Sequence, residues 1–332
     1  MKGDYKGLKL IASSNPHIRS SEDTSSLMLD VIIALCPAVV WSVIRFGGRA
    51  LLVCALSAAF AMFWEWAYRK VMKQPQMIRD YSAALTGLLL AMVCPVTIPY
   101  WMLCIGDFFA IVVVKQLYGG LGKNFMNPAL AGRAALVACY ASQMTTWVAA
   151  GEKAPLMGAD VVTGATPMAL MRDNFGSLTA QFSVTDMFLG LTGGSVGEIS
   201  SMLLLLGGLY LIFRKVISWH IPAAYIGTVA LLSLIFPHGN DPVQYMLYSI
   251  FGGGLMLGAF FMATDYVTSP VTKPGQLVFG VGCGLLTVFI RTFGSFPEGV
   301  CYSILLMNCT VRIIDKKLKP QRFGVEKGAE KK

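Results

Sequence analysis

Charged residues are scarce in this chain. Asp, Glu, Lys and Arg make up 14% of its 332 residues, against about 25% in an ordinary soluble domain. With 55% hydrophobic residues and a mean hydropathy of +0.61, a soluble globular fold is excluded and a polytopic membrane protein is implied. Histidine is nearly absent: His17, His220 and His238 are scattered and form no metal motif. None of the eight cysteines belongs to a C-x-x-C pair, and all lie in apolar runs. That argues against a disulfide framework and a self-contained iron–sulfur site, and predicts small buried hydrophobes instead. The first 26 residues are polar throughout, lack an apolar core and read as a soluble arm rather than a signal peptide. The net charge of +9 collects at the ends and in short loops, with no basic, aromatic-studded stripe of the kind that binds nucleic acid. No Ser-His-Asp or Cys-His grouping is legible. "YGGLGKNFMNPALAGR" (118–133) fails the Walker pattern and "GVGCG" (280–284) lacks the third glycine of a dinucleotide fingerprint.

What the chain does have is long apolar runs. Crossing about 30 Å of hydrocarbon takes about 20 residues, and such runs lie near 27–45, 49–68, 78–95, 97–117, 127–147, 197–213, 219–237, 243–263, 275–291 and 298–314. The third and sixth are short, so the count is ten, or nine if one of them fails to cross. Lys and Arg concentrate in alternate loops and in the C-terminal tail, which places both termini in the cytoplasm. Arg45, Arg49 and Arg291 are the exceptions, on the outer side. "PVTIP" (95–99) recurs as "PVTKP" (270–274), and a glycine follows each first proline after 24 residues, at Gly119 and Gly294. With five spans per half, the second copy is inverted, as in transporter-like folds. The expected organisation is an all-α polytopic protein of about ten transmembrane helices in two inverted five-helix repeats. It comprises a cytoplasmic arm (1–26), a first repeat (27–147), an external loop (148–196), a second repeat (197–314) and a basic cytoplasmic tail (315–332).

Ionisable residues within or at the edges of the spans are Asp30, Glu65, Asp107, Lys115 and Asp265. Such groups are expensive in hydrocarbon and are candidates for ion passage. Asp107 is the deepest and the first candidate, with Asp265 beside it. Asp30, Glu65 and Lys115 are expected to reach the membrane interface. Asn127 and Asn308 sit in apolar surroundings at related positions of the two halves, where an amide needs a partner or lines a polar cavity.

The external loop contains "DVVTGATPMAL" (160–170). Thr166 followed by Pro167 is a helix start, with the threonine as N-cap. A helix start also stabilises a phosphate through free backbone N–H groups and the dipole. Thr166 could therefore carry a phosphoester, with Gly164 and Ala165 keeping the approach open and Asp160 placed for metal-assisted transfer. Thr163 is the alternative attachment point. Spacing alone leaves the plain cap and the phosphoester both standing.

The motif resembles the Asp-x-x-Thr/Ser-Gly-Ala-Thr sequence on which a dedicated flavin transferase esterifies FMN to the last threonine, here Thr166. "SNPH" (14–17), "YGGLGKNFMNPALAG" (118–132), "GGSVGE" (193–198), "DYVTSPVTKPG" (265–275) and "FPEGVCYSILLMN" (296–308) resemble the same family. It is the family of the D subunit of the Rnf ion-translocating ferredoxin:NAD oxidoreductase and the B subunit of the sodium-translocating NADH:quinone reductase. The short N-terminal arm favours the Rnf side, and Cys309 stands where a proline is expected. The resemblance implies a urea-transporter-like inverted repeat in a bacterial or archaeal cytoplasmic membrane. It also implies covalent FMN on Thr166, a second noncovalent flavin (riboflavin or FMN), and electron transfer coupled to Na⁺ or H⁺ movement. The implied partners are an externally facing FMN subunit, iron–sulfur subunits and the flavin transferase. Flavin would then supply the redox chemistry that the cysteine pattern cannot. A flavin-free channel or secondary transporter of the same architecture is the competing reading.

Overall fold

A computed structural model describes residues 23–156, 162–173, 175–237, 241–294 and 298–318. Asp160, the "SNPH" stretch and the tail beyond 318 lie outside them. The described residues are helical, with two isolated bridges and no strand. The first half contains α1 (Thr24–Phe46), α2 (Gly48–Val71), α3 (Ser82–Met92), α4 (Tyr100–Phe108), α5 (Pro128–Cys139) and α6 (Ala141–Met144). Three short helices follow, α7 (Pro167–Asp173), α8 (Phe175–Gln181) and α9 (Val184–Leu189). The second half contains α10 (Ser201–Phe213), α11 (His220–Ile235), α12 (Pro242–Phe251), α13 (Leu255–Leu257), α14 (Lys273–Phe293) and α15 (Val300–Lys317). Two helices run on as π-helix, α4 into Phe109–Gln116 and α13 into Gly258–Met262.

All ten expected apolar runs fall on helix. α1, α2 and α14 are each long and apolar enough to cross a membrane, and α12 with the segment from α13 forms a span bent by 58°. The third run is shorter than expected: α3 has 11 residues, about 16 Å of helix, because the chain leaves helical geometry after Met92. Helix starts follow a repeated device, a capping side chain with proline in the first turn. Asn127 caps α5, Asp241 caps α12 and Thr272 caps α14. The two PVTxP copies both introduce helices, with Pro99 immediately before α4 and Pro274 inside the first turn of α14. Their downstream glycines differ, since Gly119 is left-handed (φ 109°) and Gly294 is extended (φ −82°). In the first half α2 packs on α3 and α4; in the second α11 packs on α12 and α14. The halves meet through α1 against α10 and α5 against α15.

Backbone that leaves the helix inside such a bundle must find internal partners. The segment after α3 does so by pairing with 195–197: Val196 N–H donates to Cys94 O (3.1 Å) and Gly197 N–H to Met92 O (2.7 Å). A Cβ on Gly197 would lie 2.6 Å from the Met92 Cβ, so the approach requires glycine. The three arginines that offended the charge rule serve the same need. Arg45 donates to Leu191 O (3.4 Å), and Arg49 to Thr97 O (2.9 Å) and Pro155 O (3.2 Å). Arg291 reaches Ser249 O (2.7 Å), Gly252 O (3.1 Å), Gly253 O (3.3 Å) and Glu298 O (3.0 Å). It thus holds the carbonyls freed where α12 breaks at three consecutive glycines, of which Gly253 and Gly254 have φ of 65°.

Two expectations are corrected. Glu65 and Lys115 do not reach the interface: they are 0% and 1% exposed and pair at 3.2 Å. Lys115 also donates to Ser82 Oγ (2.6 Å), Gln116 donates to Glu65 (2.6 Å), and Arg69 lies 3.5 Å from the same carboxylate. Lys115 and Gln116, consecutive in the π-helical segment, thus both bond the Glu65 carboxylate. Asp30 pairs with the half-exposed Arg214 just past α10 (2.9 Å) and accepts from Tyr210 (3.3 Å), at the bundle end where the interface was expected. Among the cysteines, Cys54, Cys94, Cys283 and Cys301 are buried as expected, whereas Cys36, Cys139 and Cys309 are exposed.

Arg291→Met should destabilise the protein by about 3 kcal/mol or more, because several buried carbonyls lose their donor at once; thermal unfolding in detergent measures it. Lys115→Met alone should cost about 3–5 kcal/mol, and Lys115→Met combined with Glu65→Gln distinctly less, since only the single change strands a buried charge. Equal losses in both variants would contradict the ion-pair account.

Candidate functional site

Among the described residues 162–166, Thr166 is the buried one. Its Oγ1 accepts from Ala169 N–H (3.2 Å) and its carbonyl from Leu170 N–H (3.1 Å), so it caps α7 as its spacing predicts. Thr163 is exposed and sits in a short bridge with Val148, flanked by the bonds Ala149 N–H to Val162 O (2.9 Å) and Gly164 N–H to Trp147 O (3.2 Å). Gly164 passes close to Ala149, where a Cβ would be 3.2 Å away. Ala165 is exposed beside it.

Thr166 lines a cavity of about 330 Å³ with Gly193, Gly194, Gly252, Gly253, Glu198 and Glu298 among its walls. The helix break of α12 is its floor. A Cβ on Gly252 would meet Met168 Sδ and Met187 Cε at 2.7 Å, so α7 and α9 rest directly on the glycine turn. α9 is started by a capping box: Ser183 Oγ accepts from Asp186 N–H (3.2 Å), and Asp186 accepts from Ser183 N–H (2.9 Å). These bonds hold the Asp186 carboxyl below its usual range. The box therefore stabilises α9 at neutral pH and is lost only as pH falls through that lowered value.

Beneath the cavity lies a charged group that the sequence reading missed. Arg133 of α5 pairs with Glu298, which precedes α15. Glu198 accepts from Ser195 Oγ (2.7 Å). The signal was present: Glu198 and Glu298 each stand beside glycine at the very start of an apolar run, and Arg133 lies inside another.

The four residues expected on an ion route divide. Asn127 and Asn308 meet across the halves. With its amide oriented to suit its neighbours, Asn308 accepts from Asn127 N–H (3.0 Å) and donates to Thr268 O (3.0 Å). Asn127 also donates to Met262 O (3.1 Å) while capping α5. Asp265 accepts from Thr268 Oγ1 (3.0 Å) and shares with Asn127 the walls of the largest described cavity, about 770 Å³. Lys115, Asn124, Phe260 and Phe261 line it too, so both π-helical segments face it. The carboxamide oxygen of Asn124 is buried there without a hydrogen-bond partner. Asp107 stands apart: it is 0% exposed, accepts from Ser57 Oγ (3.0 Å), and lines neither this cavity nor that of Thr166.

The chain is similar to known proteins over nearly its whole length. The chain is 45% identical to the D subunit of the Na(+)-translocating ferredoxin:NAD(+) oxidoreductase complex of Acetobacterium woodii, covering 96% of this chain and 97% of that one. It is 46% identical to the D subunit of the proton-translocating ferredoxin:NAD(+) oxidoreductase complex of Clostridium ljungdahlii, covering 95% and 96%. It is 40% identical to the D subunit of the ion-translocating oxidoreductase complex of Stutzerimonas stutzeri, covering 92% and 93%. Residues 11–324 match the NQR2, RnfD, RnfE family, and the chain belongs to that family.

Proposed function

We propose that the chain is the membrane subunit of an ion-translocating ferredoxin:NAD oxidoreductase complex and bears FMN as a phosphoester on Thr166. The observation that carries the flavin reading is the contrast between the two motif threonines. Thr166 is buried against a glycine-walled cavity at a helix start, whereas Thr163 is exposed in a bridge. The residues fit the group: the cap bonds of Thr166 take the N–H groups of Ala169 and Leu170 and leave that of Met168 in the first turn of α7, and Gly194 keeps its wall of the cavity clear of a side chain. Glu298 in the same cavity is neutralised by Arg133. When bound, flavin exchanges one or two electrons, which links partner carriers of both kinds. The chain's own residues bind and orient it and keep water from the ester. The cavity lined by Asn124 fits the second, noncovalent flavin, because its free amide oxygen can accept from an imide N–H.

Ten spans in two inverted halves are supported by the matched packing of α2 with α3 and α4 and of α11 with α12 and α14. Lys70, Lys73, Arg79, Arg214, Lys215, Lys316 and Lys317 then mark the cytoplasmic side of a bacterial cytoplasmic membrane. The Thr166 loop faces outward, toward an FMN-bearing partner protein and the transferase that loads it, while iron–sulfur partners complete the electron route. The ion route runs along Asn127, Asn308 and Asp265. Asp107 is off this route.

Expressed with its transferase and run on a denaturing gel, the wild-type band should fluoresce under ultraviolet light. Thr166→Val should be dark and Thr163→Val bright. A dark wild type would leave the flavin-free transporter reading in its place. In the reconstituted complex, Asp265→Asn should lower coupled ion uptake at least tenfold and Asp107→Asn should leave it unchanged; the opposite pattern would move the route to Asp107.

A further inference from the structure

Cavities succeed one another along the seam where α5 of the first half meets the second half. The Thr166 cavity shares Glu198 and Gly253 with a smaller one of about 270 Å³, whose walls include Arg133, Ser195, Met262 and Cys301. Beyond it lies the Asp265 cavity, separated from it by the hydrogen bond from Asn127 to Met262 O. Carboxylates therefore stand at both ends of the series, Glu198 and Glu298 at one and Asp265 at the other. Arg133 lines the smallest of the three, and with Glu298 it also lines a neighbouring cavity of about 510 Å³ beside Tyr302.

Arg133 is firmly placed. It follows Gly132, where a Cβ would lie 2.9 Å from Gly106 O, so α5 is pressed against α4 at that point. Its head reaches Glu298 of the other half, while its Nε is buried with no hydrogen-bond partner. Glu198 is a second carboxylate on the wall of the same small cavity. A charged side chain held across a narrow polar passage is a barrier to ions. One that is paired to a single carboxylate, with another nearby, has two positions to occupy.

We propose that Arg133 is the gate of a cation route through this seam, latched in the closed position by Glu298, with Glu198 as its alternative partner. In the closed position the paired side chains fill the passage and bar a cation arriving from either carboxylate end. Displacement toward Glu198 clears the wall next to Leu130 and Cys301 and opens the passage to the Asp265 cavity. The inference rests on the reading that the ion route runs in this chain and is independent of flavin attachment.

The test uses the whole complex in liposomes without electron donor, measuring passive entry of radioactive sodium and of protons. Arg133→Gln alone leaves Glu298 unpaired and buried, which endangers folding, so the main variant is Arg133→Gln/Glu298→Gln, in which neither charge remains. It should leak cations at least tenfold faster than wild type. Adding Asp265→Asn should return the leak toward the wild-type rate. A small cationic methanethiosulfonate reagent should block the leak, and Cys301→Ser should abolish the block. An assembled, flavin-loaded Arg133→Gln/Glu298→Gln complex as tight as wild type would overturn the gate, and so would a leak indifferent to Cys301. Failure of the underlying route is read separately, from coupled uptake that survives Asp265→Asn.

Discussion

In hydrocarbon there is no water to satisfy a backbone group, so every departure from helix must be answered from within the protein. This chain departs from helix at its centre, after α3 and between α12 and α13, and the rest of the fold is organised around those departures. The segment 92–96 is answered by backbone from 195–197. The break of α12 is answered by Arg291, whose planar head carries five donors and meets four carbonyls. A lysine could not replace it, having fewer donors and no fixed fork.

The breaks also create the places where chemistry can occur. The glycine turn 252–254 has no side chains, so Met168 and Met187 can rest on it and Thr166 can sit above it. Asn127 bridges from the start of α5 to Met262 at the end of the second π-helical segment, tying the two halves at the edge of the largest cavity. Buried charges gather at these same places: Arg133 with Glu298 below Thr166, and Lys115 with Glu65 beside the Asp265 cavity. Helix interruption, cavity and charge are thus one feature of the architecture.

Much of this was legible in the sequence because it is local. Apolar runs located the helices, and Thr166-Pro167 announced the cap that forms, whereas the cap made by Asn127 went unread. Partners distant in sequence were not legible. Arg133 and Glu298 are 165 residues apart and Asp30 and Arg214 are 184 apart, so nothing in local spacing pairs them. The buried Lys115 lies in a π-helical segment that periodicity does not reveal. Asp107 is fully buried, as its depth in the fourth run suggests, and borders neither the Thr166 nor the Asp265 cavity.

Relatives of nearly equal identity, 45% and 46%, are named for sodium and for protons. The names of these relatives divide by ion while their identity to this chain does not, so overall similarity does not assign the ion. The most direct measurement is peptide mass mapping of the chain co-expressed with its flavin transferase. The account predicts that the peptide containing Thr166 gains the mass of one flavin mononucleotide less water, with fragmentation assigning it to Thr166. An unmodified peptide, or the same mass on Thr163, would contradict it.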